Sequence, residues 1–332
     1  MLTIKDIAKL SGYSITTISR VLNNSGHVNK ETKQQILKII QENNFQVNLN
    51  AKKLKQKKSK SIHIIIKGNS NMLFVKIIEE IYMIDKLSKY ELVSHYIDED
   101  ENEILVAKRI IRENLPLGII FLGGFIKNFT NNFNDIEIPC LLLTVNASEI
   151  LADNISSVAV DDYKASKLVI NKFISKNKTN ICMITGSVNK SNPSSLRYKG
   201  AYDTIIENGF TFDEKIQLEQ SRYSLVGGYD ACVRLLKNNK NVNAIYCASD
   251  VMALGAIRAI IDEGKRVPDD IAVIGYDGLD IALFSIPRLT TIFQDPFEIS
   301  NKGINVFLNQ IEESEKGSHI YLDGILLEGM SI

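Results

Sequence analysis

The sequence predicts an α/β chain in two parts, an N-terminal all-α helix-turn-helix headpiece followed by a pair of doubly wound parallel-sheet subdomains. Three observations carry this prediction. Charge is divided unevenly: residues 1–60 hold 12 Lys and Arg against Asp6, Glu31 and Glu42, which leaves 27 bases against 36 acids in the rest. The apolar pattern changes at Ser61, where amphipathic helical spacing gives way to short apolar runs separated by helical stretches. The length of 332 residues exceeds what a single core holds, so the chain needs more than one compact unit.

The headpiece is expected over residues 1–46. Thr3 and Asp6 form a start signal for a first helix whose apolar edge is Ile7, Ala8 and Leu10. Gly12 can adopt the left-handed conformation that ends this helix and turns the chain. Ser14 is a natural N-cap for a second helix, "ITTISRVLNN", with Ile15, Ile18, Val21 and Leu22 at helical spacing. Asn29 caps a third, with Ile36, Leu37, Ile40 and Phe45 on its buried side. Residues 47–60 follow as a linker, "VNLNAKKLKQKKSK", too lysine-rich to fold by burial.

The body is expected over residues 61–332. Buried parallel strands read as "IHIII" (62–66), "ELVSH" (91–95), "GIIFL" (118–122), "PCLLL" (139–143) and "SSVAV" (156–160). The rhythm resumes with "NICMI" (180–184), "NAIYC" (243–247) and "IAVIG" (271–275). Helical stretches around 74–89, 101–114, 163–176, 195–208, 225–238 and 251–263 separate them. Such alternation implies parallel sheets covered on both faces, two in tandem, with a ligand crevice beyond the carboxyl ends of the strands.

Several classes of function are disfavoured. The first apolar run is broken by Lys5, Asp6 and Lys9, unlike a secretory leader, and no stretch reaches the roughly 20 apolar residues that span a bilayer. No membrane partner and a bacterial cytoplasmic, nucleoid-associated location are therefore expected. Cys140, Cys182, Cys232 and Cys247 lack paired metal-ligand spacing and read as reduced core residues, so no metal or cofactor is expected. "GSVNKSN" is not a phosphate loop, and no convergent acid, base and nucleophile set is visible, so an enzyme is not expected.

A basic headpiece on an acidic body points to a polyanion partner for the headpiece alone. A helix-turn-helix places its second helix in the major groove of double-stranded DNA. Small hydroxyl residues at Ser14, Thr16 and Ser19 let that helix approach closely, and Arg20 can fork onto a guanine edge or clamp a phosphate. Leu54, set among lysines, suits an apolar wedge opening the minor groove while its neighbours neutralise phosphate.

These residues also carry a family resemblance. "TIKDIAKLSGYSITTISRVLNN" with "VNKETKQQILKIIQENNF" resembles the headpiece of the lactose/galactose (LacI/GalR) repressors. The likeness continues through "VAVDDYKASKLVI", "SSLRYKGAYD", "IYCASDVMALGAIRAI" and "VPDDIAVIGYDGLDIALFSIPRLTTI". It implies a homodimer or dimer of dimers, operator DNA as partner, and a periplasmic-binding-protein-like body that takes a small-molecule effector. It assigns DNA contact to Thr3, Ile15, Thr16, Ser19, Arg20, Asn23, His27, Asn48, Ala51 and Leu54, with Ile15 and Thr16 as the operator-reading pair.

The resemblance also implies where the effector binds. Arg197 would hold two ring oxygens bidentately, Asp277 would accept from two hydroxyls, and Tyr223 would stack on the ring. Ser249 stands where many members have Asn, Thr144 where an Asp is common, and Phe74 and Gln294 complete the candidates. The usual Pro-Asp and Asn-Pro are missing from "IKGNSNMLF". Chain crossings divide the body into about 61–160 plus 292–319 and about 161–291 plus 320–332. A sugar effector of galactoside type, loosening the grip on the operator, is the leading expectation. A purine or nucleoside effector is the rival within the family, and a transport solute-binding protein the rival outside it.

Overall fold

The computed structural model describes residues 4–22, 28–42, 60–68, 71–189 and 192–332. Contacts divide the chain into two compact units, Met1–Ser59 and Lys60–Ile332. In the first, helices α1 (Ile4–Ser11), α2 (Ile15–Leu22) and α3 (Lys30–Glu42) enclose a small core of Ile7, Ile18, Val21 and Ile36. Gly12 takes φ +71° between the first two helices, a left-handed angle that glycine adopts without steric cost. The Ser14 hydroxyl accepts from the Thr17 amide at 3.1 Å and so caps α2. Asn29 caps α3 by accepting from the Glu31 amide at 3.2 Å.

Two expected core residues are not buried. Leu37 is 44% exposed and Leu10 56%. Each residue turns about 100° around a helix, so with Ile36 aimed at the core its neighbour Leu37 points away. Phe45 lies outside the described residues.

The second unit contains two six-stranded sheets. The first runs β11-β5-β4-β3-β1-β2 and is parallel throughout. Its strands are β1 (Ser61–Lys67), β2 (Glu91–Ile97), β3 (Gly118–Leu122), β4 (Cys140–Leu143), β5 (Ile155–Val160) and β11 (His319–Leu322). Helices α4 (Met72–Met83), α5 (Glu103–Asn114), α6 (Ile126–Asn132) and α13 (Pro296–Glu312) accompany it. The second sheet runs β12-β10-β9-β8-β6-β7, with β12 the antiparallel edge. It comprises β6 (Ile181–Thr185), β7 (Leu218–Gln220), β8 (Ala244–Cys247), β9 (Ala272–Asp277), β10 (Thr290–Phe293) and β12 (Ile325–Leu327). Its helices are α7 (Asp162–Ser175), α8 (Asn192–Glu207), α9 (Glu214–Gln217), α10 (Leu225–Asn238), α11 (Asp250–Asp262) and α12 (Asp280–Leu283).

The central strands are buried on both faces, which is why they read as continuous apolar runs. The chain passes between the sheets after Val160, after Phe293 and after Leu322. The last two crossings fall slightly later than expected: Ile292 and Phe293 pair with β9, while Ile320 to Leu322 pair with β5. All four cysteines are buried and unpaired.

Candidate DNA-reading face and effector cleft

On α2, Ile18 and Val21 face the core, and Ile15, Thr16 and Arg20 are exposed with Ser19 partly so. Positions i, i+1, i+4 and i+5 share one side of a helix, so these four form one surface opposite the core. Ile15 is 45% exposed, a placement that apolar burial within the unit does not explain. Ser14 is exposed, but its oxygen is held in the cap by the Thr17 amide and by the Thr17 hydroxyl at 2.8 Å. Thr3, Asn23, His27, Asn48, Ala51 and Leu54 lie outside the described residues.

In Lys60–Ile332 a cavity of about 460 Å³ opens between the two sheets. Phe74, Thr144, Arg197, Tyr223, Asp277 and Gln294 all line it. Ser249 does not. Its hydroxyl accepts from the Met252 amide at 3.3 Å, capping α11, and the residue is 1% exposed. A serine before a helix is commonly spent this way, because the first amides of a helix have no partner within it.

Strand ends explain the lining. Lys67 closes β1, Gly123 to Phe125 follow β3, Thr144 follows β4, Gln220 closes β7 and Asp277 closes β9. Glu99 and Asp100, just after β2, and Arg222, just after β7, complete the mouth. Lys67, Glu99, Asp100, Phe125, Gln220 and Arg222 escaped the sequence reading. The rule that parallel strands deliver ligand-facing residues at their carboxyl ends could have found them.

Arg197 is more committed than the resemblance implied. Its Nε donates to Asp162 Oδ1 at 2.8 Å and its Nη1 to the Ala248 carbonyl at 2.6 Å. Its guanidinium carbon lies 3.6 Å from the centre of the Tyr276 ring, whose hydroxyl donates to the same Asp162 oxygen at 2.7 Å. Of the five guanidinium donors, three have no partner among the described residues and can serve a ligand. Asp162 lies 35 residues away and anchors the fork from the start of α7.

Asp277 has φ +114° and Thr144 φ +68°, angles that L residues rarely adopt. Both are at the cleft, where such strain is commonly held. Gln294 Nε2 donates to Asp277 Oδ1 at 2.8 Å. Burial pushes the Asp277 carboxyl up to about 7, and it also raises neighbouring Asp250. Asp250 is the better held of the two, accepting from the Thr291 hydroxyl at 2.5 Å and the Leu279 amide at 2.7 Å. Tyr223 donates or accepts at Ser194 Oγ, 2.8 Å away, and its ring packs where a side chain on Gly186 would stand. In the same way the ring of Phe74 occupies the space above Gly123.

Residues 3–48 match the signature described as "Bacterial regulatory proteins, lacI family", and residues 170–331 match a "Periplasmic binding protein-like domain". The HTH-type transcriptional regulator MalR of Clostridium butyricum is 32% identical over 337 residues, covering 98% of each chain. The chain belongs to the LacI family. It is a sequence-specific DNA-binding transcriptional regulator, as the members of that family are. Among solved structures, the CelR–cellobiose complex matches with a TM-score of 0.73 at 19% identity, covering all of both chains. The lac repressor dimer bound to operator and the anti-inducer ONPF matches at 0.71 and 22%, covering 99% of this chain and 98% of that one. These two likenesses show the fold of a LacI-family regulator, a helix-turn-helix unit with two parallel-sheet subdomains. Among the described residues no helix is long and apolar enough to cross a membrane.

Proposed function

We propose that this LacI-family chain is a repressor whose hold on its operator is controlled by a small saccharide bound in the cleft. The observation that carries the reading is the make-up of the cleft. Planar polar groups on Arg197, Asp277 and Gln294 converge with aromatic rings from Phe74, Phe125 and Tyr223. Planar groups reach adjacent hydroxyls in pairs, and rings cover the apolar face of a sugar. The volume suits a small-molecule site, for which roughly 300–1,000 Å³ is usual. CelR, of the same fold, holds cellobiose.

Effector binding would pull the two sheets together and thereby bias the headpieces, a coupling between two distinct sites. Contacts spanning the cleft among the described residues include the exposed ion pairs of Lys76 with Asp280 at 2.6 Å and Arg222 with Asp100 at 3.3 Å, and a hydrogen bond from Lys127 Nζ to the Asn189 carbonyl at 3.0 Å. Solvent screens such exposed pairs, so they add little resistance to opening the cleft. The domain division 1–46, 47–60 and 61–332 and the DNA contacts of the hinge, Leu54 as wedge included, belong to the same proposal. So does a two-fold partner chain, by analogy with the lac repressor dimer. Exposed Met72, Val75 and Met83 on α4 and Phe284 and Ile286 after α12 offer it apolar surface on both halves. The chain would act on the nucleoid in the bacterial cytoplasm.

Calorimetric titration of the chain with lactose, cellobiose, maltose, galactose and ribose, against hypoxanthine and guanosine, tests the effector class. Heat from a saccharide and silence from the bases is expected; tight base binding with no sugar heat would overturn the reading. Affinity should also rise between about pH 6 and pH 8. Asp277 loses its proton in that window, and the carboxylate it becomes accepts sugar hydroxyls at both oxygens. A flat profile over that range would remove Asp277 from the contact.

Arg20→Ala should weaken operator binding by about tenfold to a hundredfold, the worth of one good base or phosphate contact. Gel shifts at several salt concentrations distinguish the two. Loss of a phosphate contact lowers the log–log salt slope by about 0.9, and loss of a base contact leaves the slope and relaxes the preferred sequence.

A further inference from the structure

Among the described residues each cation lining the cleft has a carboxylate ion-pair partner, whereas two of its carboxyls, Asp277 and Glu99, form no ion pair. Lys67 Nζ lies 2.7 Å from Glu103 Oε2, also donates to the Glu101 carbonyl, and sits 4.2 Å from the centre of the Phe125 ring. Arg197 is held by Asp162 and Arg222 by Asp100. Glu103 is 0% exposed and Asp162 3%, so neither carboxylate could be left to water if its cation turned to a ligand. Glu103 also fastens the loop that carries Phe125, accepting from the Phe125 amide at 2.6 Å and from Asn128 Nδ2 at 3.0 Å. By contrast, among the described residues the Asp277 carboxyl accepts only from the neutral amide of Gln294. Glu99 has no ion-pair or hydrogen-bond partner among the described residues, although it lines the cleft and is partly buried.

These two carboxyls stand on opposite walls. Glu99 follows β2 in the first sheet, and Asp277 ends β9 in the second. An anionic ligand would meet a carboxylate whichever wall it approached. Turning Lys67 away from Glu103, or Arg197 away from Asp162, would leave an uncompensated buried charge. The three donors Arg197 has left belong to a cation that Asp162 already neutralises, and Arg222, the exposed cation of the mouth, stands beside both Asp100 and Glu99. A hydroxyl-bearing ligand has no such conflict, since it donates to both carboxyls. An ammonium group near Glu99 would gain an ion pair.

We infer that the cleft selects by charge: it takes an uncharged or amino-bearing saccharide and rejects saccharides that carry phosphate or carboxylate. The inference rests on the saccharide reading of the cleft and adds Glu99 and the Lys67–Glu103 pair as its specificity determinants. The discrimination is a repulsive device, built against the wrong ligand as much as for the right one.

The full chain is titrated calorimetrically at pH 8 with cellobiose, maltose and lactose to find the tightest uncharged disaccharide. The 6-phosphate, uronate and 2-amino derivatives of that sugar are then compared with it. The phosphate and uronate should bind about a hundredfold more weakly, and the amino form at least as tightly as the parent. In Glu99→Gln the gap between anionic and uncharged forms should narrow about tenfold. An anionic derivative binding as well as its parent overturns the inference while leaving the saccharide reading intact. So does a gap that Glu99→Gln leaves unmoved, because exclusion would then be steric. Silence from every saccharide overturns both.

Discussion

Arg197→Ala is expected to destabilise Lys60–Ile332 by about 3–5 kcal/mol and to abolish the response to effector. The first effect follows from Asp162. With the guanidinium gone, this carboxylate is left 3% exposed with only the Tyr276 hydroxyl as a hydrogen-bond donor. The Ala248 carbonyl loses its donor too, and the Tyr276 ring loses the cation stacked 3.6 Å from its centre. The second effect follows from the three donors that the fork still offers to the cleft. If Arg197 served the ligand alone, stability would move by no more than about 0.5 kcal/mol, as for substitutions that break no buried network. Chemical denaturation of the wild type and variant decides between the two. Arg197→Lys keeps the charge but not the fork, so it should restore part of the stability and little of the response.

Asp277→Asn should have the opposite balance. Effector affinity should fall about a hundredfold or more, because two charge-assisted hydrogen bonds, each worth about 1.5–3 kcal/mol, become neutral ones at best. Stability should not fall. Asp277 is one of two buried neighbouring carboxyls, and its amide removes a charge that the site holds poorly. Its pH signature should vanish as well. A carboxyl raised to about 7 stays protonated in the native chain after the unfolded chain has ionised near 4, so the contribution of Asp277 to stability declines as pH rises from about 4 to 7. In Asp277→Asn that contribution is absent, so the difference in denaturation midpoint between variant and wild type should grow in the variant's favour as pH rises from about 4 to 7.

Much of the architecture was legible in local pattern. Gly12 with Ser14, and Asn29 before an amphipathic run, mark helix ends by chemistry that acts within four residues. The central strands are apolar runs because both faces are covered. The short edge elements were not legible in the same way. β7, β11 and β12 are three or four residues long, partly exposed and without a periodic signal. β10 was likewise missed as a strand, so the second crossing was placed before Ile292 rather than after Phe293.

In the cleft, six of seven candidates converge; five stand at or near the end of an element the pattern had located, and Gln294 follows β10, which it had not. Ser249 failed because a hydroxyl before a helix has a backbone use that competes with a ligand use. The pairings were hidden for a different reason. Lys67 meets Glu103 and Arg197 meets Asp162 across 36 and 35 residues, distances over which only the tertiary fold decides who is adjacent.

The central claim is that one ligand in the cleft governs the grip of the headpiece on DNA. Thermodynamic linkage makes this measurable from both ends. An operator duplex is selected from a random library with the full chain, and its affinity is measured with and without a saturating saccharide. The affinity of that saccharide is then measured with and without the duplex. The account predicts that the saccharide weakens operator binding by roughly 5- to 150-fold, and that the duplex weakens saccharide binding by the same factor. Equal affinities in the presence and absence of the other ligand, with both shown to bind, would contradict it.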